Sequence, residues 1–449
     1  MTNTKILLLI VTLTTAMPLW SQDNAASTPV VPEGSDDMRM TVPPPVSAES
    51  YPEVVGSDER SNYLRTGLTF TTTYDDNVLG GASTRQVGDE SYSVWPYLKL
   101  DETTSRLHSL LTVTPGFTYY QHTSGRNEVD GNASADVTYR LTRHTTLNLV
   151  DSFRKLSNVL NEPGANGAPM FGTAQASPIT VFAPVADQIS NVGTIQLTHQ
   201  FAPNGMFGFS GTFTNLHYAD VSQVPGLFDS TSRAGSAFYN HRLSGRHYVG
   251  VTYQYQQLLA YPTGFQSETQ THGVMLYYAL YVQPKFSVSF FGGPQYSITK
   301  ESIFPTAHAW SPAAGASISW QGKTTNVILS YSRMIAAGGG LSGAVHQNAA
   351  NLSLQHKLTR NLSAAIGGGY SNFRVLDGVP FLLSQGANDG HTLSATGSLE
   401  RQFGEHFSAG LDYSRIHQTY SGITVISASP DTNQGRISIS YNFSRPIGR

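Results

Sequence analysis

The chain has 449 residues, 27 Lys+Arg against 30 Asp+Glu, a formal net charge of -3, 39% hydrophobic and 13% charged residues, and no cysteine. Ordinary soluble domains are about 25% charged, so this chain lacks half the usual surface charge while carrying 23 Tyr and 21 Phe. The near-neutral balance speaks against a nucleic-acid binder; zero cysteines exclude a disulfide framework, thiolate metal sites and a lipidated N-terminal cysteine.

Residues 1–21 read as a signal peptide. Lys5 supplies the positive start, Ile6 to Ala16 the apolar stretch, and cleavage falls near Ser21. An apolar run of this length is too short for a spanning helix, which needs about 20 residues. Residues 22–60 are polar and proline-rich, with Pro43-Pro44-Pro45 and the acidic pairs Asp36-Asp37 and Asp58-Glu59. Such a segment is a periplasmic tail or a short hatch.

Residues 61–449 repeat one unit: an alternating stretch, a tight polar turn, a second alternating stretch, and a longer loop rich in Gly, Asp, Asn and Pro. The period of two predicts strands. In Leu107 to Tyr119 one parity carries Leu107, Leu111, Val113, Phe117 and Tyr119, and the other His108, Thr112, Thr114, Gly116 and Thr118. A soluble sandwich would place charges on the polar face, where this chain has Ser, Thr, Asn, Gln and Gly. The pattern predicts an all-β fold, a transmembrane antiparallel up-and-down β-barrel.

The tight turns resemble one another, as in Arg140-Leu141-Thr142-Arg143-His144, Arg242-Leu243-Ser244-Gly245-Arg246 and Lys357-Leu358-Thr359-Arg360-Asn361. Longer loops, among them Asp75 to Glu90, Ser157 to Gln188, Ala336 to Ala344 and Val375 to Asp389, lie between them. Short turns at one end and long loops at the other are the outer-membrane pattern, with the long loops extracellular. The count is about 18 strands, with 14–18 allowed because Gly273 to Val282 is apolar on both parities.

The turn phrases and the final strand Ile437-Ser438-Ile439-Ser440-Tyr441-Asn442-Phe443 resemble the β-barrel porins of diderm bacteria. The resemblance implies a bacterial outer-membrane location and an assembly signal at Tyr441 and Phe443 read by the barrel-assembly machinery; the chain departs from the pattern by continuing to Arg449. It also implies outer-membrane lipids and small solutes as partners and, by analogy with trimeric porins, a homo-oligomer. The loop from Ser157 to Gln188 carries Pro169-Met170-Phe171-Gly172, similar to the constriction-loop phrase of general porins, with Met170 where that phrase has Glu. It either folds inward or stays at the surface.

Parity assigns Arg65, Lys99, Asp136, Arg140, Arg154, Arg242, Glu400, Asp412 and Arg436 to the lumen. The basic excess gives a weak anion preference, unless these groups are simply hydrated at strand ends. Acidic residues such as Asp75, Asp89, Glu90, Glu128 and Asp130 read as solvated loops or ligands for bridging cations. Tyr74, Tyr92, Tyr97, Tyr119, Tyr120, Tyr218 and Tyr261 read as interfacial girdles. No catalytic motif stands out: Gly338-x-Gly340-x-x-Gly343 matches a dinucleotide fingerprint only formally, since no helix follows. The expectation is a non-enzymatic porin-like channel for passive diffusion of small hydrophilic solutes, without cofactor or metal. The alternatives are an accessory barrel for polysaccharide export or surface attachment, and a hydrophobic-solute transporter.

Overall fold

The computed structural model describes residues 62–80, 86–157, 186–219, 227–262, 266–283, 285–301, 304–340, 342–376, 389–421 and 431–447. The predicted signal peptide, the tail of residues 22–60 and Pro169 to Gly172 lie outside them. The first nine strands are β1 (Tyr63–Asp75), β2 (Asp89–Thr103), β3 (Leu107–Tyr120), β4 (Glu128–Arg140), β5 (Thr145–Leu156), β6 (Gln188–Ala202), β7 (Gly205–Tyr218), β8 (Asp229–Arg242) and β9 (His247–Tyr261). The second nine are β10 (Ser267–Gln283), β11 (Phe286–Glu301), β12 (Phe304–Gln321), β13 (Thr325–Gly338), β14 (Ser342–Lys357), β15 (Leu362–Val375), β16 (Asp389–Phe403), β17 (Phe407–Ser421) and β18 (Asp431–Pro446).

Each strand pairs antiparallel with its sequence neighbours, and β1 pairs with β18, so the 18-stranded sheet closes into a barrel. Pairing β1 with β18 removes the two terminal edges that an open sheet would leave in lipid. The closing ladder runs from Tyr63↔Pro446 to Asp75↔Gln434, so the residues after Phe443 continue the last strand. Tyr441 and Phe443 are half-exposed on its outer face. The ambiguous stretch in β10 resolves cleanly: Gly273, Met275, Tyr277 and Ala279 are buried inward, and Val274 and Leu276 face outward.

The outer face is apolar, with Leu68, Phe117, Ile195, Leu276, Leu411 and Ile437 exposed. The inner face is a hydroxyl lattice, with cross-strand pairs Thr69–Ser440 at 2.9 Å, Ser93–Thr118 at 2.9 Å, Ser210–Ser236 at 2.7 Å and Ser289–Ser317 at 2.9 Å. This inversion of the soluble pattern places lipid outside. Leu411→Arg, a charge in the middle of the lipid face, should cost about 2–4 kcal/mol, read as a lower urea midpoint for the refolded barrel.

Inward aromatics lie flat on the wall over glycines. A Cβ on Gly116 would stand 2.3 Å from the Trp95 ring, and one on Gly315 would stand 2.1 Å from Phe291. Because Trp95 is buried with no room to retreat, Gly116→Val should cost about 1–3 kcal/mol and shift the near-UV signal of that tryptophan.

Of the aromatics predicted as girdle, Tyr74, Tyr119 and Tyr261 are exposed outward. Tyr97, Tyr120 and Tyr218 instead lie on the inward parity of their strands. Tyr120 directly follows Tyr119, and alternation forces one of the two inside. Tyr97 lies over Gly67, the aromatic-over-glycine packing that keeps it on the wall, and donates its hydroxyl to Asn442 Oδ1 at 2.7 Å.

Candidate functional site: the lumen and its extracellular mouth

Strand parity places Arg65, Lys99, Asp136, Arg140, Arg154, Arg242, Glu400, Asp412 and Arg436 on the inner face. They fall into separate groups. Arg65 and Lys99 are register partners on β1 and β2 near the periplasmic end. Asp136 accepts from Asn148 Nδ2 at 3.1 Å, and Arg154 lies opposite Asn132 and Ser190 toward the extracellular end. Arg140 and Arg242 flank periplasmic turns, where Arg242 Nε donates to the Ser244 carbonyl at 3.3 Å. Asp412 and Arg436 face each other across β17 and β18 and are both buried. Glu400, on β16, lies opposite Gly410, which precedes Asp412 on the same face of β17.

The inward set extends beyond these nine. Lys357 on β14 joins the basic residues at the periplasmic end. At the extracellular end Asp75, Asp89, Glu128, Asp130 and Glu301 all share the inward parity, with Arg154 as the basic residue among them. With Asp101 of β2 as the buried acid among its basic residues, the periplasmic rim is net basic and the extracellular rim acidic, so a uniform basic excess does not describe the wall.

Three of these acids are buried loop tethers; the solvated-loop reading does not hold for them. The Asp89 carboxylate, 3% exposed, accepts from His122 N at 3.1 Å, Thr123 N at 2.7 Å and Thr123 Oγ1 at 2.5 Å. It thereby holds the turn that carries the 3-10 segment Ser124–Arg126. Asp75 accepts from Asn77 N at 2.8 Å, and Asp130 from Ser157 N at 2.7 Å. The sequence signal was present: each Asp ends or nearly ends a strand and precedes or faces a polar loop, the position where a carboxylate satisfies backbone N–H groups.

The most prominent feature of the mouth is the β13–β14 hairpin, read from sequence as an external loop from Ala336 to Ala344. Its strands run to Gly338 and from Ser342, and its end leaves the wall and enters the barrel. Gly339 and Gly340 have φ of 62° and 83°, a conformation that favours glycine. The Gly340 carbonyl accepts from Phe228 N at 3.0 Å, and the Gly339 carbonyl from the Tyr218 hydroxyl at 2.6 Å. At the base of the bend Ile335 N donates to Gln295 Oε1 on β11 at 3.3 Å.

Apolar packing completes the insertion. Ile335 and Ala344 cluster with Leu258, Ala260 and Leu376. Val345, 0% exposed, clusters with Leu216, Tyr218, Phe373 and Tyr420. The hairpin thus touches β7, β9, β15 and β17, strands from well-separated parts of the circumference, and narrows the extracellular half of the lumen. The glycines that formally matched a nucleotide fingerprint form its tip, where small size admits the backbone against Tyr218.

Among the described residues no group of three or more His, Cys, Asp or Glu could hold a metal ion. No family model and no curated protein matches the chain. Among solved structures, Acinetobacter baumannii OccAB4 is 11% identical, with a TM-score of 0.41 over 86% of this chain and 99% of that one. Pseudomonas aeruginosa OpdK, solved with vanillate, is 9% identical, with a TM-score of 0.40 over 85% of this chain and 99% of that one. The ferric citrate transporter FecA is 11% identical, with a TM-score of 0.41 over 83% of this chain and 63% of that one. At this level the likeness says nothing of cargo, and the functional reading rests on the barrel's own geometry.

Proposed function

We propose that the chain is an outer-membrane diffusion channel for small hydrophilic solutes. The observation that carries this reading is the closed 18-stranded wall with lipid-facing Leu, Ile and Phe outside and a hydroxyl lattice inside. A barrel of sixteen to eighteen strands leaves an aqueous path, and a Ser/Thr lining replaces part of a solute's hydration at little cost. Assembly is served by Tyr441 and Phe443 on the outer face of the closing strand, three residues and more before its end at Pro446.

Selectivity follows the axial charge arrangement. With Asp75, Asp89 and Asp130 buried as tethers, Glu128 and Glu301 are the acids that raise local cation concentration at the extracellular mouth, and the basic rim raises that of anions at the periplasmic mouth. The barrel should therefore rectify: inserted in one orientation in a planar bilayer, it should carry unequal currents at opposite voltages. The asymmetry should shrink at high salt as screening shortens the reach of the rims. Ohmic, salt-insensitive behaviour would count against the charge arrangement, and absence of current from a folded barrel against the channel.

A further inference from the structure

The insertion of the β13–β14 hairpin has a consequence for the wall. β12 pairs with β11 along its whole length, from Phe286↔Trp320 to Glu301↔Phe304. Its ladder with β13 covers only Ala314↔Arg333 to Gln321↔Asn326. Above Ala314, β13 has turned into the lumen, pinned by the Ile335–Gln295 bond. Among the described strands, the part of β12 from Phe304 to Ala313 therefore has β11 as its one ladder partner. Such an edge in lipid is costly, and Pro305 and Pro312 on it carry no N–H to leave unpaired.

The depth of this seam can be set from the same strand. Trp320 and Trp310 face outward on β12, at 44% and 72% exposure. Ten residues of tilted strand separate them, roughly 25 Å of membrane height, which is the height of an outer-membrane apolar band. The ladder ends six residues above Trp320, about 15 Å up, so the seam opens in the outer leaflet, below the upper aromatic level.

Arg333 stands at its foot. It lies on the outward parity of β13 with Leu329 and Tyr331, is exposed, and has Ala314 and Asn348 as register neighbours. Neither neighbour carries charge. An arginine facing lipid at this depth is expensive, by about 2–4 kcal/mol at the midplane, unless an anion meets it. Behind the seam stand the buried Met334, Ile335 and Ala336, continuous with the Leu258 and Leu376 cluster inside the barrel.

We propose that the β12–β13 seam is a lateral portal for single-chain amphiphiles with an anionic head, such as a long-chain carboxylate, the head held by Arg333 and the chain lying along the β12 edge toward Ile335. This is a site separate from the aqueous path and does not depend on that path conducting.

The test uses the refolded chain in lipid vesicles with a photoreactive long-chain carboxylate and the matching uncharged alcohol. Illumination and peptide mass spectrometry should find carboxylate adducts enriched on residues 305–313 and 334–337 over the rest of the outer belt. Arg333→Ala should lower those adducts several-fold, Arg333→Lys should keep most of them, and the alcohol should label weakly and without regard to residue 333. Uniform labelling around the belt, or seam labelling unchanged in Arg333→Ala, would overturn the portal. Bilayer currents recorded on the same samples report the aqueous channel separately.

Discussion

Replacing residues 336–344 by a two-residue Asn-Gly turn should raise single-channel conductance several-fold. The hairpin carries its tip across the lumen to Tyr218 and Phe228, and its flanks Ile335 and Val345 fill the space between β7, β9, β15 and β17. A type I′ turn joins the shortened strands without needing that space. Gln295→Ala should have a smaller effect of the same sign, since it removes one bond and leaves the apolar packing, and should appear as more frequent switching between levels. Equal conductance in wild type and shortened variant would show that the hairpin does not limit flow.

The second large effect concerns Arg436 and Asp412, which are 2% and 4% exposed and lie opposite each other on the inner wall. Arg436 Nη2 also donates to Gln434 Oε1 at 3.3 Å. Arg436→Met leaves the Asp412 carboxylate buried without its opposing charge and should cost about 3–5 kcal/mol, read in urea unfolding of the refolded barrel. Adding Asp412→Leu should recover most of that loss, because an apolar pair of similar size needs no desolvation. If the double variant is as unstable as the single one, the pair does not act as a unit and the loss lies in Arg436's other contacts.

Parity made the wall legible in the sequence. Leu107 to Tyr119 and Ile437 to Phe443 alternate so regularly that inside and outside can be assigned residue by residue, and the repeated turn phrases bring the strand number to about 18. Parity does not report what happens above the last ladder bond. Ala336, Ala337 and Gly338 to Gly340 read as a loop because small residues serve a surface turn and an inserted tip equally. Their partners Tyr218, Phe228 and Gln295 are remote in sequence and marked by no motif. For the same reason the seam beside β12 was invisible, since Ala307, Ala309, Ser311 and Ala313 keep the alternation of an ordinary strand.

The rims show a different limit. Asp75, Asp89 and Asp130 were found as acids near loops, and their burial follows from bonds to Asn77, His122, Thr123 and Ser157 that depend on how each turn closes. Leaving these strand-end acids off the inner face overstates the basic character of the lumen.

The aqueous path through the barrel is tested most directly by osmotic swelling of vesicles containing the refolded chain, using neutral sugars of increasing size. The geometry predicts rapid swelling with the smallest sugars, a steep decline with size, and a shift of the cutoff to larger sugars in the variant lacking residues 336–344. No swelling with any sugar from a correctly folded, membrane-inserted barrel, with and without the hairpin tip, would contradict a diffusion channel.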